Sequence, residues 1–232
     1  MTQIATMGLW HLGSVVSAGL ASLGHTVRAT DPNGETVTNL QQGKPPIFEP
    51  GLAELIAEQT AQGRLKFVKT PREALQGAEF VFLTFDTPVD ENDRSDLEPL
   101  ETALEQIARE ARPDATLVVM SQVPVGTCNS FVGQLRRLAP NSKFTLFCQP
   151  ENLRLGQAIA TFLQPDFLLI GAENGEAARG LLGLYEGICS RKIVVNRESA
   201  EMAKHMLNAF LATSISFANE LSDLAEGCGA DI

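Results

Sequence analysis

The sequence predicts a doubly wound, mostly parallel α/β sheet followed by one long C-terminal helix. Three observations carry this expectation. A short apolar run, a glycine turn and a helical run open the chain. Short apolar runs then alternate with amphipathic stretches as far as residue 196, the pattern of parallel strands joined by crossover helices. From residue 198 to residue 226 nothing breaks a helical pattern, and at 1.5 Å per residue that stretch is roughly 40 Å long. The expected organisation is therefore a Rossmann-like domain over residues 1–196, with residues 197–232 starting a second unit.

Composition agrees with this and removes several function classes. A chain of 232 residues can bury one good core, or one core plus an appendage. The net charge of −10 leaves no basic face for nucleic acid or an anionic membrane. No apolar run approaches the length of a membrane span, and no secretory signal is visible. The four cysteines are scattered, with no Cys-x-x-Cys pair. This predicts reduced thiols in a cytoplasmic protein and no metal site.

The first strand, residues 4–7, leads into Gly8-Leu9-Trp10-His11-Leu12-Gly13, and a helix follows over residues 12–23. In a dinucleotide fold this turn reads Gly-x-Gly-x-x-Gly and sets the pyrophosphate on the helix N-terminus. Here Trp10 fills the middle slot, where glycine normally lets the backbone approach the phosphates. If a dinucleotide binds, either the turn widens or Trp10 swings outward. Ala18 and Gly19 are small enough to let this helix lie close to the sheet. The second strand, residues 26–30, closes on Asp31, about twenty residues past the turn, where an acid takes the adenosine ribose hydroxyls. No arginine follows to accept a 2′-phosphate, so NAD is preferred over NADP. Asp31 can equally cap the turn formed with Pro32, Asn33 and Gly34.

Helices are expected over residues 37–42 and 52–61, the second opened by Glu49-Pro50-Gly51 as capping preferences require. A strand follows at residues 65–68 and a helix at 71–75. Residues 80–83, Phe-Val-Phe-Leu, form an unbroken apolar run, the mark of a strand buried on both faces. It ends in a loop containing Thr87 and Pro88, at the strand end where such sheets bind ligands. After a charged loop come a helix (97–111), a strand (116–120), the loop with Ser121 and Gln122, a helix (128–138) and a strand (144–147). The loop from Gln149 to Gly156, a strand (167–170), a helix (176–185) and a last strand (193–195) complete the domain.

The candidate cofactor-binding residues are thus Gly8, Trp10, His11, Leu12, Gly13, Asp31, Thr87, Pro88, Ser121 and Gln122. As side chains, His11 and His25 have no partner at a revealing spacing and read as structural. Lys204 and Asn208 stand four apart on the long helix and face one side. A lysine beside an amide can stabilise an oxyanion and order a water; the same pair also fits a solvated helix face. Glu151, in a strand-end loop beside Arg154, fits a general base or a substrate hydroxyl acceptor, and equally a surface ion pair. Cys128 at a helix start is the one thiol a helix dipole can activate, although an inert buried thiol fits it as well.

Several stretches, taken together and in order, resemble the UDP-glucose/GDP-mannose dehydrogenase family, NAD-dependent enzymes that oxidise a sugar 6-hydroxyl to a carboxylate. They are Gly-Lys-Pro-Pro-Ile-Phe-Glu-Pro-Gly-Leu from Gly43, Thr87-Pro88-Val89, Val123-Pro124-Val125-Gly126-Thr127 and Gln149-Pro150-Glu151-Asn152-Leu153-Arg154-Leu155-Gly156. Pro165-Asp166 and the run from Glu201-Met202-Ala203-Lys204 through Asn208-Ala209-Phe210 to Asn219-Glu220 complete the set. The resemblance implies a route from alcohol to aldehyde, capture by a cysteine, a second hydride transfer to a thioester, and hydrolysis. It makes Lys204 and Asn208 the oxyanion-stabilising pair and Glu151 a loop acid of the active site. The implied partner is a nucleotide sugar, UDP-glucose or a relative.

The departures are specific. Trp10 replaces a glycine, Gln122 the threonine that takes part in proton transfer, and Leu155 a second glutamate. The family's Gly-Phe-Gly-Gly-x-Cys segment and its sugar-nucleotide domain lie beyond the stretch matched here, and Cys228 lacks that glycine setting. The expectation is an NAD-binding domain with the first part of the central helix, unable by itself to complete the oxidation. The far half of that helix is expected to pack on a second copy, giving a homodimer. The alternative is a non-catalytic relative that binds a nucleotide or only a partner chain, which Trp10, Gln122 and Leu155 favour. A hydroxyacid dehydrogenase of related fold is disfavoured by Pro45-Pro46 and by the stretch from Gln149 to Gly156.

Overall fold

The computed structural model describes residues 1–231. Among them, eight strands form one sheet: β1 (Gln3–Met7), β2 (Thr26–Thr30), β3 (Leu65–Phe67), β4 (Phe80–Leu83), β5 (Thr116–Val119), β6 (Thr145–Cys148), β7 (Leu168–Gly171) and β8 (Lys192–Val195). Their order is β3-β2-β1-β4-β5-β6-β7-β8, and every pairing is parallel except β6 with β7, which meet antiparallel at Cys148 and Gly171. β1 pairs with β2 on one side and β4 on the other. The chain reverses its direction of travel there, and such a switch point opens a crevice at the carboxyl ends of the strands.

The helices are α1 (His11–Ser22), α2 (Gly34–Gln41), α3 (Leu52–Ala61), α4 (Pro71–Leu75), α5 (Glu98–Glu110), α6 (Thr127–Leu138), α7 (Ala158–Leu163), α8 (Arg179–Gly183) and α9 (Arg197–Gly227). They cover both sheet faces, and the period-two alternation of the strands explains why. Val81 and Leu83 point into one core with Leu117 and Val119, while Phe82 and Val118 point into the other. A strand buried on both faces must be apolar throughout, as β4 and β5 are. Local signals set the helix starts. Thr70 and Glu73 form a reciprocal capping box ahead of Pro71, and the Asn33 side chain accepts from the Glu35 and Thr36 amides.

Three expectations change. Residues 158–163 form the short helix α7, too brief to show a helical period in the sequence. The helix expected over residues 176–185 contracts to Arg179–Gly183, with turns on either side; Gly180 and Gly183 lie within the stretch, and Gly175 and Gly187 flank it. Gly19 gives α1 a close approach to α7 rather than to the sheet, since a methyl added there would lie 2.3 Å from the Phe162 ring.

Helix α9 is anchored by side-chain contacts over residues 196–208. Asn196 caps it by accepting from the Ser199 amide. Arg197 Nε donates to the Leu146 carbonyl at 2.8 Å. Glu201, buried, reaches the start of α6 and accepts from the amides of Gly126 at 2.6 Å and Cys128 at 2.7 Å. A carboxylate there satisfies free N–H groups and complements the helix dipole. From Met206 onward no described residue of the helix is buried, and Phe210 is 74 % exposed. No helix among the described residues is long and apolar enough to cross a membrane.

Candidate active site

The site is built on the turn between β1 and α1. Gly8 has φ +95°, and a methyl on it would meet the Phe85 backbone nitrogen at 2.7 Å. A methyl on Gly13 would lie 1.7 Å from the Gly8 carbonyl oxygen. Thr84 Oγ1, from the end of β4, sits against the same turn, 2.7 Å from the Gly8 carbonyl and 3.1 Å from that of Met7. Both glycines are therefore demanded by close packing at the switch point. Trp10 is not strained: at φ −70° and ψ −153° it adopts backbone open to any residue, and its side chain is 48 % exposed. It is the N-cap of α1 and makes no side-chain cap bond, so no side chain occupies the first amides of that helix. The half-exposed Trp10 matches the outward arrangement, one of the two expected if a dinucleotide binds.

Asp31, at the end of β2, holds the turn from below. Its Oδ2 accepts from the Leu9 amide at 2.6 Å and its Oδ1 from the Asn33 amide at 2.8 Å. The turn-capping and ribose-binding readings are thus compatible, since each carboxylate oxygen keeps a lone pair for a hydroxyl. Two cavities flank the turn. One, of about 420 Å³, is lined by Thr30, Asp31 and Pro32 and by residues of α5. The other, of about 610 Å³, is lined among others by His11, Leu12, Thr87, Gln122 and Glu151. Phe85 contributes to both. Two neighbouring cavities that share Phe85, one lined by an acid and the other by the first residues of α1, fit a dinucleotide.

The larger chamber gathers the residues singled out in sequence. Thr87, Pro88, Ser121 and Gln122 line it, and Thr87 Oγ1 donates to the Gln122 carbonyl. Lys204 Nζ is 3.1 Å from Glu151 Oε1, with both side chains largely covered. Asn208 Nδ2 donates to Gln122 Oε1 at 2.9 Å. Lys204 and Asn208 thus stand one contact behind the chamber wall. Leu155, 69 % exposed, is part of that wall.

Sequence reasoning missed three acids and a histidine. His11 Nε2 is 3.1 Å from Glu49, whose side chain is wholly buried. Glu49 also accepts from the amides of Gly156 at 2.9 Å and Ala158 at 2.8 Å. Burial alone would raise its pKa; the two amides and the imidazole outweigh burial and hold it below the usual carboxylate value. Glu201 was read only as part of a motif, and Asp86 not at all. Desolvation against the chamber wall raises the Asp86 carboxyl; His11 opposes this and Asp31 adds to it. His205 donates through Nε2 to the Val123 carbonyl at 2.8 Å. These partners lie many residues apart, and no local spacing announces them. Cys128 is settled in the other direction: a contact with Cys148, then burial, push its thiol far above the ordinary range, and its own amide is taken by Glu201. The helix start does not activate it.

A glycine turn at a switch point, with an acid ending the neighbouring strand, defines a dinucleotide-binding dehydrogenase-type domain. Comparison with known proteins narrows the class. Residues 2–189 match the NAD binding domain of the UDP-glucose/GDP-mannose dehydrogenase family, and residues 198–232 match its central domain. The chain is 35 % identical over 231 residues to UDP-glucose 6-dehydrogenase YwqF of Bacillus subtilis, covering 99 % of this chain and 52 % of that protein. It is 33 % identical over 237 residues to a UDP-glucose 6-dehydrogenase of Pseudomonas aeruginosa, with the same coverage. A UDP-glucose dehydrogenase structure from Pyrobaculum islandicum superposes with a TM-score of 0.94 at 36 % identity, covering 100 % of this chain and 54 % of that one. The chain belongs to the UDP-glucose/GDP-mannose dehydrogenase family and carries its NAD-binding domain. It spans about half the length of the relatives it matches.

Proposed function

We propose that this chain is the cofactor-binding half of an NAD-dependent nucleotide-sugar 6-dehydrogenase acting on UDP-glucose or a relative, in the cytoplasm. Residues 1–196 form the NAD domain and residues 197–232 begin the central, dimer-forming unit. The observation that carries the reading is the Lys204–Glu151 pair, set by α9 and the loop after β6 behind the chamber beside the glycine turn. Asp31 would hold the adenosine ribose, the amides of His11, Leu12 and Gly13 the pyrophosphate, and Thr87, Pro88, Ser121 and Gln122 the far nucleotide. Bound there, NAD supplies the acceptor for hydride from the sugar carbon.

The chain's own residues supply positioning and charge. The Lys204 ammonium, held by Glu151, stabilises the oxygen that becomes negative as carbonyl addition proceeds. Asn208 donates a second hydrogen bond to the same oxygen and orders the hydrolytic water. Glu151 keeps Lys204 aligned and can take a proton from a substrate hydroxyl or water. The cysteine nucleophile and the sugar-nucleotide domain would be supplied outside these 232 residues. The apolar stripe on α9, with Met206, Phe210 and Phe217 exposed, suits a homodimer contact.

A second reading, a nucleotide-binding relative without catalysis, is favoured by Leu155 standing in the chamber wall where the family has a glutamate. Two measurements separate the readings. Calorimetry of this chain should show NAD binding at least about tenfold tighter than NADP, a 1.4 kcal/mol preference. The whole protein encoded by the gene should then form two NADH per sugar with one of UDP-glucose, GDP-mannose or UDP-N-acetylmannosamine. Cofactor binding without turnover of any of them supports the non-catalytic reading; absence of NAD binding overturns both.

A further inference from the structure

The side chains of Gln122 and His205 form a directed chain that ends on Asn208. It starts at a group whose polarity is fixed. The Val123 carbonyl can only accept, so His205 Nε2, 2.8 Å away, carries the hydrogen. In the neutral ring Nδ1 is then an acceptor. Gln122 Nε2 faces it at 3.4 Å and donates, which turns Gln122 Oε1 toward Asn208. Asn208 must therefore present Nδ2, and does so at 2.9 Å. One backbone carbonyl thus fixes the tautomer of a histidine and the orientation of two amides in succession.

Other groups around His205 do not interrupt this order. Lys204, the preceding residue, is engaged by Glu151. Glu201, one turn back, is engaged by the amides of Gly126 and Cys128. The Gln122 backbone is itself held from the β4 loop by Thr87.

We propose that Gln122 and His205 are positioning residues that fix the amide orientation of Asn208. This rests on the reading above only in giving Asn208 a task. Gln122 stands where the family has a threonine, and a glutamine cannot relay a proton as a hydroxyl does. It reaches further, and here the reach is used to brace α9 against the loop after β5. With one Asn208 N–H given to Gln122, its other N–H is left for an oxyanion or water and its Oδ1 for a water.

The test is spectroscopic and does not require turnover. Long-range ¹H–¹⁵N spectra of the labelled protein should show His205 with its hydrogen on Nε2. The Asn208 N–H given to Gln122 should exchange with water more slowly than the other N–H of the same amide. Gln122→Met should speed that exchange about fivefold, the worth of one net hydrogen bond, and shift His205 Nδ1. Gln122→Glu keeps the acceptor for Asn208 and loses the donor to His205. It should therefore preserve slow Asn208 exchange while adding a hydrogen at His205 Nδ1, Nε2 keeping its own for the Val123 carbonyl. A merely structural role for Gln122 would not split the two signals in this way. An Nδ1–H tautomer in the unsubstituted protein, or unchanged Asn208 exchange in Gln122→Met, overturns the proposal. Loss of turnover with the spectra as expected would count against the catalytic reading alone.

Discussion

His11, in the glycine turn, donates through Nε2 to Glu49, a wholly buried carboxylate from the loop before α3. Glu49 also receives the Gly156 and Ala158 amides, so one acid ties the turn to the loop carrying Glu151 and to the start of α7.

Replacing this acid has a defined cost. Glu49→Gln sets an amide donor against backbone donors in a buried site, and the expected loss is about 2–4 kcal/mol, read from urea unfolding. The pH dependence has a definite sign. The folded pKa of Glu49 is depressed below its ordinary 4.5. Its contribution is therefore fully present above the unfolded value and lost only as pH falls through the lower folded one. The stability gap between the two proteins should be flat from neutrality to about pH 5 and close only in stronger acid. A gap that closes between pH 7 and pH 5 would refute this assignment.

The glycines of α1 should differ in tolerance. A methyl on Gly13 collides with a backbone oxygen at 1.7 Å, and the turn cannot yield without opening the switch point. A methyl on Gly19 meets the Phe162 ring, which can move with the short helix α7. Alanine also favours a helix interior by about 1 kcal/mol over glycine. Gly13→Ala should cost about 3 kcal/mol or more and abolish NAD binding, whereas Gly19→Ala should cost about 1–2 kcal/mol and spare it. The reverse ranking in thermal unfolding would contradict the packing described.

Trp10 should tolerate the cofactor. Its backbone is unstrained and its ring already half in solvent. Trp10→Gly should therefore change the NAD dissociation constant by less than about tenfold, under 1.4 kcal/mol. As the one tryptophan of the chain, it should report NAD titration by a fluorescence change. NAD binding that appears only in Trp10→Gly would show that the ring blocks the site.

The thiols should separate by burial. Cys228 is exposed and Cys189 partly so, while Cys128 and Cys148 are buried. Iodoacetamide at neutral pH should label Cys228 first, Cys189 more slowly, and the buried pair only on unfolding. Rapid labelling of Cys128 would mean that the helix dipole activates it after all.

The fold was readable because its signals are local and periodic. Apolar runs such as Phe80-Val81-Phe82-Leu83 and the turn at Gly8 each act over a few residues. Most of the candidate site was readable for a different reason: Lys204, Asn208 and Glu151 sit in ordered motifs, although their spacing alone fits a solvated face. What escaped was pairing across the sheet. Nothing near Glu49 in sequence shows that it meets His11, Gly156 and Ala158. Gln122 looked like a lost threonine, and only the approach of α9 to the loop after β5 shows what it holds. The short α7 escaped because six residues cannot display a 3.6-residue period.

The anchoring of α9 has a mechanical consequence. Its 31 residues make a rod of about 46 Å, held at Arg197, Glu198, Glu201, Lys204, His205 and Asn208, with the residues from 209 onward lying mostly in solvent. A bend of about 10° just past Asn208 carries the tip through roughly 5 Å. Lys204 and Asn208 lie inside the held stretch and do not travel in such a bend. A cantilever of this kind lets the distal end follow whatever it carries while the residues beside the cofactor chamber stay in register.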